Sequence, residues 1–138
     1  MQRIEDCISF LLGKASQRVT RRARELLAEY DVTPVQYAAL CVLWERNAQT
    51  GTEVGARLII DSATMTGIID RLERAGLIER RADNNDRRSY RLYVTERGRK
   101  LRSPLDAAMD RLNAEIAQLL DRDCERFRRM LCEVGEQG

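Results

Sequence analysis

The chain of 138 residues contains no histidine. The usual Ser-His and Cys-His nucleophile pairs are therefore excluded, as is any metal site that relies on imidazole. Cysteine is present at Cys7, Cys41, Cys124 and Cys132, but never as a Cys-x-x-Cys pair. Thiolate zinc sites usually place ligands about two to four residues apart, so these scattered thiols do not suggest one. There is no glycine-rich phosphate loop. No run of about eighteen apolar residues exists to span a membrane, and the opening "MQRIEDCISF" carries acids where a secretory signal needs an apolar core. The expectation is a cytoplasmic protein that is not an enzyme and uses no metal or cofactor.

What the chain does have is charge and helical periodicity. Its length suits one domain, and the small net charge of +2 hides an uneven distribution. Residues 57–102 carry an excess of five positive charges, whereas residues 103–138 carry an excess of three negative ones. A local basic excess is the footprint of a polyanionic partner.

Residues 3–29 place Ile4, Ile8, Leu11, Leu12, Ala15, Val19, Ala23, Leu26 and Leu27 at helical spacing, predicting one long amphipathic helix. "TPVQ" at 33–36 is a capping box with proline at the first helical position. It predicts a second helix to about Arg46, buried through Val35, Ala38, Ala39, Val42 and Leu43. "TGTE" at 50–53 opens a short helix through Leu58, and "DS" at 61–62 caps another over 62–75, ended by Gly76. Two short helices separated by a brief turn are the signature of a helix-turn-helix.

The period then changes. "LIERR" (77–81) and "YRLYVT" (90–95) read as strands, with Tyr90, Leu92 and Val94 on one face and Arg91 and Tyr93 on the other. The intervening "ADNNDRRS" is rich in turn formers. A charged hairpin directly after a helix-turn-helix predicts a winged helix, occupying about residues 33–95. Thr95 caps a further helical region in which Pro104 should bend or restart the helix. Leu105, Ala108, Met109, Leu112, Ile116, Leu119 and Leu120 keep its stripe, and Cys124, Phe127, Leu131 and Val134 line a last helix. The fold class is thus mainly α with a small β-wing. The stripes at about 1–29 and 104–138 have no evident partner inside the winged helix, which predicts burial against a second copy of the chain.

"VTPVQYAALCVLWE" (32–45), "DSATMTGIIDRLERAGLIERR" (61–81) and "DRRSYRLYVTERGRKL" (86–101) resemble the MarR family of bacterial transcription regulators across essentially the whole chain. The Asp-x-Arg of the wing, Asp86 and Arg88, followed by "TERG" at 95–98, is the most specific part. The resemblance implies a homodimer held by the terminal helices, binding a pseudo-palindromic double-stranded DNA operator as a repressor. It also implies release by a small ligand or by thiol oxidation.

On this reading Arg88 enters the minor groove, Asp86 orients an arginine by a charge-assisted pair, and Arg87 touches phosphate. Ser62, Thr64 and Thr66, at the start of the recognition helix, face base edges or phosphates. Gly67 permits close approach and Arg71 reaches guanine or phosphate, while Ile68, Ile69 and Leu72 are core. Family members commonly hold their effector between the DNA-binding lobe and the dimerisation helices. Tyr37, Cys41 and Trp44 on one side of the second helix, with Arg18 and Arg22 on the first, suit an aromatic carboxylate or its coenzyme A thioester. The rival control is a thiol switch at Cys7, close to where peroxide-sensing members carry a reactive cysteine. Alignment puts that position at Ser9, and two residues along a helix turn about 200°, so Cys7 is expected to face elsewhere. An architectural DNA-binding protein without sequence preference is the alternative from another class.

Overall fold

The computed structural model describes residues 2–136. Its elements run α1 (Ile8–Leu27), α2 (Pro34–Glu45), α3 (Gly51–Leu58), α4 (Ser62–Arg74), β1 (Ile78–Asp83), β2 (Asp86–Val94), α5 (Glu96–Lys100), α6 (Arg102–Leu120) and α7 (Cys124–Glu136). The capping boxes at Thr33 with Gln36 and at Thr50 with Glu53 form as expected, each satisfying otherwise unpaired amides at a helix start. Gly76 adopts φ +75°, the left-handed conformation that ends a helix at little steric cost to glycine.

One core binds α2, α3, α4 and the wing. Leu40, Leu43, Val54, Leu72, Ile78 and Leu92 are its most deeply buried side chains. Ile68, Ile69 and Leu72 are core residues, as their spacing required. The buried side of α2 differs from expectation: Val35 is exposed and Leu40 is fully buried. This helix packs against α1, α3, α4 and β2 together. An element surrounded by neighbours buries more than one stripe, while its first turn projects past them.

The winged helix is not self-contained within about 33–95. Leu27 of α1, Val32 ahead of α2 and Leu105 of α6 belong to the same core, and Leu27 and Leu105 are fully buried. The last turns of α1 and the first turns of α6 thus serve the lobe. Their distal halves, with α7, leave Ile8, Leu11, Leu12, Val19, Leu119 and Phe127 exposed.

The predicted continuous first helix is interrupted. A 3-10 turn covers Ile4–Asp6, and Cys7 is extended (φ −82°, ψ 120°) as the residue preceding α1. The Asp6 carboxylate accepts from the Arg3 amide, closing that turn locally. The C-terminal end is also remade: α1 gives way to a 3-10 turn at Ala28–Tyr30, ended by Asp31 at φ 54°. Pro104 acts by restart: α5 stops at Lys100, and α6 begins at Arg102. Proline then lies in a first turn, where its missing N–H costs nothing. Among the described residues no helix is long and apolar enough to cross a membrane.

Candidate nucleic-acid interface

The α3–α4 crossing is set by glycine. A Cβ at Gly55 would lie 2.8 Å from Met65 Cγ and 2.9 Å from the Ile60 carbonyl, so α4 can approach α3 only because that atom is missing. Asp61 caps α4: its carboxylate accepts the Thr64 amide and the Thr64 hydroxyl, each at 2.9 Å. The Thr64 amide, followed by its hydroxyl, holds the Asp61 carboxyl below the usual carboxylate range. Thr64 is therefore partly engaged in the cap, and the Thr66 hydroxyl donates to the Ser62 carbonyl at 2.9 Å. Among the described residues the Ser62 hydroxyl makes no hydrogen bond. It is exposed on the first turn of α4. A Cβ at Gly67 would meet nothing within 4 Å. The packing does not require glycine there, which leaves an open strip of helix. Arg71 is exposed one turn farther along.

The wing is an antiparallel pair with Ile78 opposite Val94, Arg80 opposite Leu92 and Ala82 opposite Tyr90, and an irregularity between Ala82 and Asp83. Both strands run farther than expected. Only Asn84 and Asn85 remain as turn, and Arg87 and Arg88 are strand residues at the tip. Among the described residues no guanidinium pairs with Asp86. Its carboxylate accepts the Arg88 amide at 3.0 Å, so it orients Arg88 through the backbone. Asp83 takes the ion-pair role expected of Asp86: it accepts from Arg91 at 3.1 Å, and Arg91 also donates to the Ala48 carbonyl at 2.7 Å. The Asn85 amide, with Arg91 adding to it, holds the Asp83 carboxyl low. Ala48 and Gln49 run beside Leu92 as a short third rung, anchoring the wing to the end of α2.

Arg80 joins the wing to α4. From β1 its guanidinium bonds Glu73 at 2.5 Å and reaches Asp70, both on α4, and it lies 5.0 Å from the centre of the Tyr90 ring. The acids of this segment are thus engaged inside the protein: Asp61 in a cap, Asp70 and Glu73 on Arg80, and Asp83 on Arg91. Among the described residues no ion pair involves Arg71, Arg74, Arg87 or Arg88, and all four are exposed. Sequence reasoning missed Arg80, Asp83 and Gly55, whose roles depend on which elements meet.

The expected effector residues fall into two groups, Tyr37, Cys41 and Trp44 on α2 and Arg18 and Arg22 on α1. Tyr37 donates to Asp106 on α6 at 2.8 Å, Trp44 donates to the Gly98 carbonyl at 3.2 Å, and the two rings meet edge-on at 6.0 Å. Burial, followed by the Cys41 and Asp106 contacts, pushes the Tyr37 hydroxyl well above its ordinary value, and burial pushes the Cys41 thiol up. These are side chains closing the joint between α2 and the α5–α6 segment. Arg22 is bound in a two-pronged pair to Glu115 at 2.9 and 2.7 Å and to Glu25 at 3.0 Å. It ties α1 to α6 and offers no free fork. Arg18 and Arg22 both line a groove of about 980 Å³ between α1 and α6, floored by Leu11, Val19, Leu112, Ile116 and Phe127, with the Arg22 guanidinium held by its glutamates. Tyr37, Cys41 and Trp44 do not line it.

Cys7 precedes the helix instead of lying in it, so the argument from helical rotation does not hold. Its Sγ is 3.2 Å from the Ser9 hydroxyl. That contact, with the Phe10 and Ser9 amides, holds the thiol below its ordinary value.

Comparison with known proteins gives a consistent picture. The model of the MarR family matches residues 32–90. The organic hydroperoxide resistance transcriptional regulator of Bacillus subtilis is 36% identical over 100 residues, covering 72% of this chain and 68% of the relative. The HTH-type transcriptional regulator TtmR of Methylorubrum extorquens is 32% identical over 120 residues, covering 87% of this chain but 62% of its own length. A probable transcriptional regulator from Pseudomonas aeruginosa superimposes with a TM-score of 0.90 at 31% identity, covering 96% of this chain and 99% of that one. The repressor CouR bound to a 23-mer DNA duplex gives 0.86 at 27% identity, covering 99% and 97%. CouR from Rhodococcus jostii RHA1 bound to p-coumaroyl-CoA gives 0.84 at 26%, covering 100% and 98%.

Proposed function

Because the chain belongs to the MarR family of winged-helix transcription regulators, we propose that it is a dimeric, sequence-specific DNA-binding repressor whose operator affinity is lowered by a small effector. The observation that carries this reading is the division of charge on α4 and the wing. The acids there are engaged internally, while Arg71 on α4 and Arg87 and Arg88 on the wing stand exposed, as does the first turn of α4. Such a surface favours phosphate and the narrow, negative minor groove. Arg88 would enter that groove, Arg87 would contact phosphate, and Ser62, Thr64, Thr66, Gly67 and Arg71 would face the major groove. Asp86 would set the direction of Arg88. A dimer joined by α1, α6 and α7 would bury their exposed apolar side chains and present two such surfaces to a pseudo-palindrome.

The effector site best supported is the groove between α1 and α6. Its apolar floor and the Arg18 guanidinium suit an aromatic carboxylate or an aromatic acyl-CoA thioester. A ligand binding there would act on the joint where Tyr37–Asp106 and Trp44–Gly98 hold α2 to the α5–α6 segment. The test is selection of operators from genomic fragments, followed by footprinting and a screen of aromatic acids and thioesters for release. Retention of all duplexes alike would instead identify an architectural binder.

A second reading is favoured by one observation. Cys7 contacts Ser9 and has a lowered thiol pKa, and the thiolate is the form that peroxides oxidise. Release of operator by peroxide in the parent, and its loss in Cys7→Ser, would select thiol control over ligand control.

A further inference from the structure

Ile59 occupies the turn between α3 and α4 with φ 56° and ψ 51°. That left-handed conformation is rare for any β-branched residue, because Cβ crowds the backbone. Glycine is the residue that fits such a turn without strain. The turn cannot relax to relieve it: the Ile60 amide bonds the Gly55 carbonyl at 2.8 Å, the Ile59 amide bonds the Ala56 carbonyl at 3.3 Å, and Ile60 packs on the core. The side chain itself gains nothing from burial, being 89% exposed. The other exposed large apolar residues, Val35 apart, lie on α1, α6, α7 and the turn before α1, where a second copy would cover them. Ile59 is far from that group in sequence and stands two residues before Asp61, the cap of α4.

An apolar side chain held in an unfavourable conformation, and left bare beside the first turn of the recognition helix, needs a partner that supplies apolar surface there. In a DNA groove that surface is the 5-methyl group of thymine. We propose that Ile59 is a specificity-determining residue that packs on a thymine methyl at the edge of the half-site. The inference rests on the DNA-binding reading above and adds to it a sequence preference made without any charge or hydrogen bond.

The experiment measures affinity of the full-length protein and of Ile59→Gly for the operator selected by the parent. It includes a series of operators in which each thymine in turn is replaced by deoxyuridine, which removes only the methyl. Ile59→Gly should melt no lower than the parent, because glycine accepts the turn. It should lose about fivefold in operator affinity for each half-site, the scale of one apolar group removed from water. The slope of affinity against salt should not change, because no charge is lost. One deoxyuridine position should weaken the parent by a similar factor and leave Ile59→Gly unaffected. Equal affinities for parent and variant, or a deoxyuridine penalty that persists in the variant, would overturn the inference while the DNA-binding reading stands. A parent that binds no duplex overturns both.

Discussion

The lobe built on α2, α3, α4 and the wing and the outer halves of α1, α6 and α7 are both rich in apolar residues, yet only the lobe, completed by the inner turns of α1 and α6, closes a core. In the lobe, Leu40, Leu43, Val54 and Leu72 are hidden from solvent. On α7 the stripe of Phe127, Met130, Leu131 and Val134 is exposed throughout. The difference is topological. The lobe folds short elements back on one another at angles, so each apolar face meets several neighbours. The terminal helices are long and extend past the lobe, so a turn of helix beyond the last neighbour has nothing to pack on. The boundary falls inside α1 and α6, whose inner turns contribute Leu27 and Leu105 to the lobe.

The strongest test of that boundary is to cut at the sequence-level borders. Removal of residues 1–29 and 104–138 takes away Leu27 and Leu105, and the fragment is expected to be unfolded by circular dichroism. Leu105→Ala in the full chain should cost about 2–5 kcal/mol in denaturant unfolding, the range for a buried leucine truncated in a packed core. A stable, folded fragment would show that the lobe closes without α1 and α6.

The outer region should answer differently to substitution. Leu131→Asp with Val134→Asp changes exposed positions, so the fold is expected to survive. Sedimentation should fall from about twice to once the monomer mass, because a charge buried at an interface without a partner is strongly unfavourable. An unchanged dimer would place the interface elsewhere.

Next in size is the wing tip, which belongs to neither core. Arg88→Ala should leave fold and dimer intact and weaken operator binding by at least about tenfold. Each such contact is worth roughly 1–3 kcal/mol and a dimer loses two. Fluorescence anisotropy across a salt series should show a slope shallower by about 0.9 for each phosphate neutralisation lost. Affinity equal to the parent's would mean the wing is a solvated hairpin.

The smallest effect is expected where α1 and α6 are tied by charge. The Arg22 fork holds the Glu115 carboxyl below the usual carboxylate range. A depressed carboxylate pKa contributes stability above its unfolded value, lost as pH falls through the folded one. The parent should therefore lose stability on acidification below the ordinary glutamate range more steeply than Glu115→Gln. Parallel pH profiles from urea titrations would show that the α1–α6 tie adds nothing measurable.

The sequence by itself determined the local structure of the reading surface. Thr33, Thr50 and Thr95 cap helices because a hydroxyl at that place satisfies free amides, which needs only neighbours three residues away. Gly76 ends α4 for an equally local reason. Period-two alternation at Tyr90, Leu92 and Val94 identified the wing strand, and the unpaired arginines of the wing were visible as a local charge excess. The interruption at Cys7 and the exposure of Val35 went unread because periodicity does not say where a neighbouring element stops. Only the tertiary structure decided the partners of charged groups, since ion pairs such as Arg22–Glu115, Arg80–Asp70 and Arg91–Asp83 join residues on different elements. That is why Asp83 holds the ion pair expected of Asp86, and why Arg22 is tied to α6. It is also why Tyr37 and Trp44 close a joint instead of lining the groove that holds Arg18: a side chain's spacing along its own helix fixes its direction, but what it meets depends on how the helices cross.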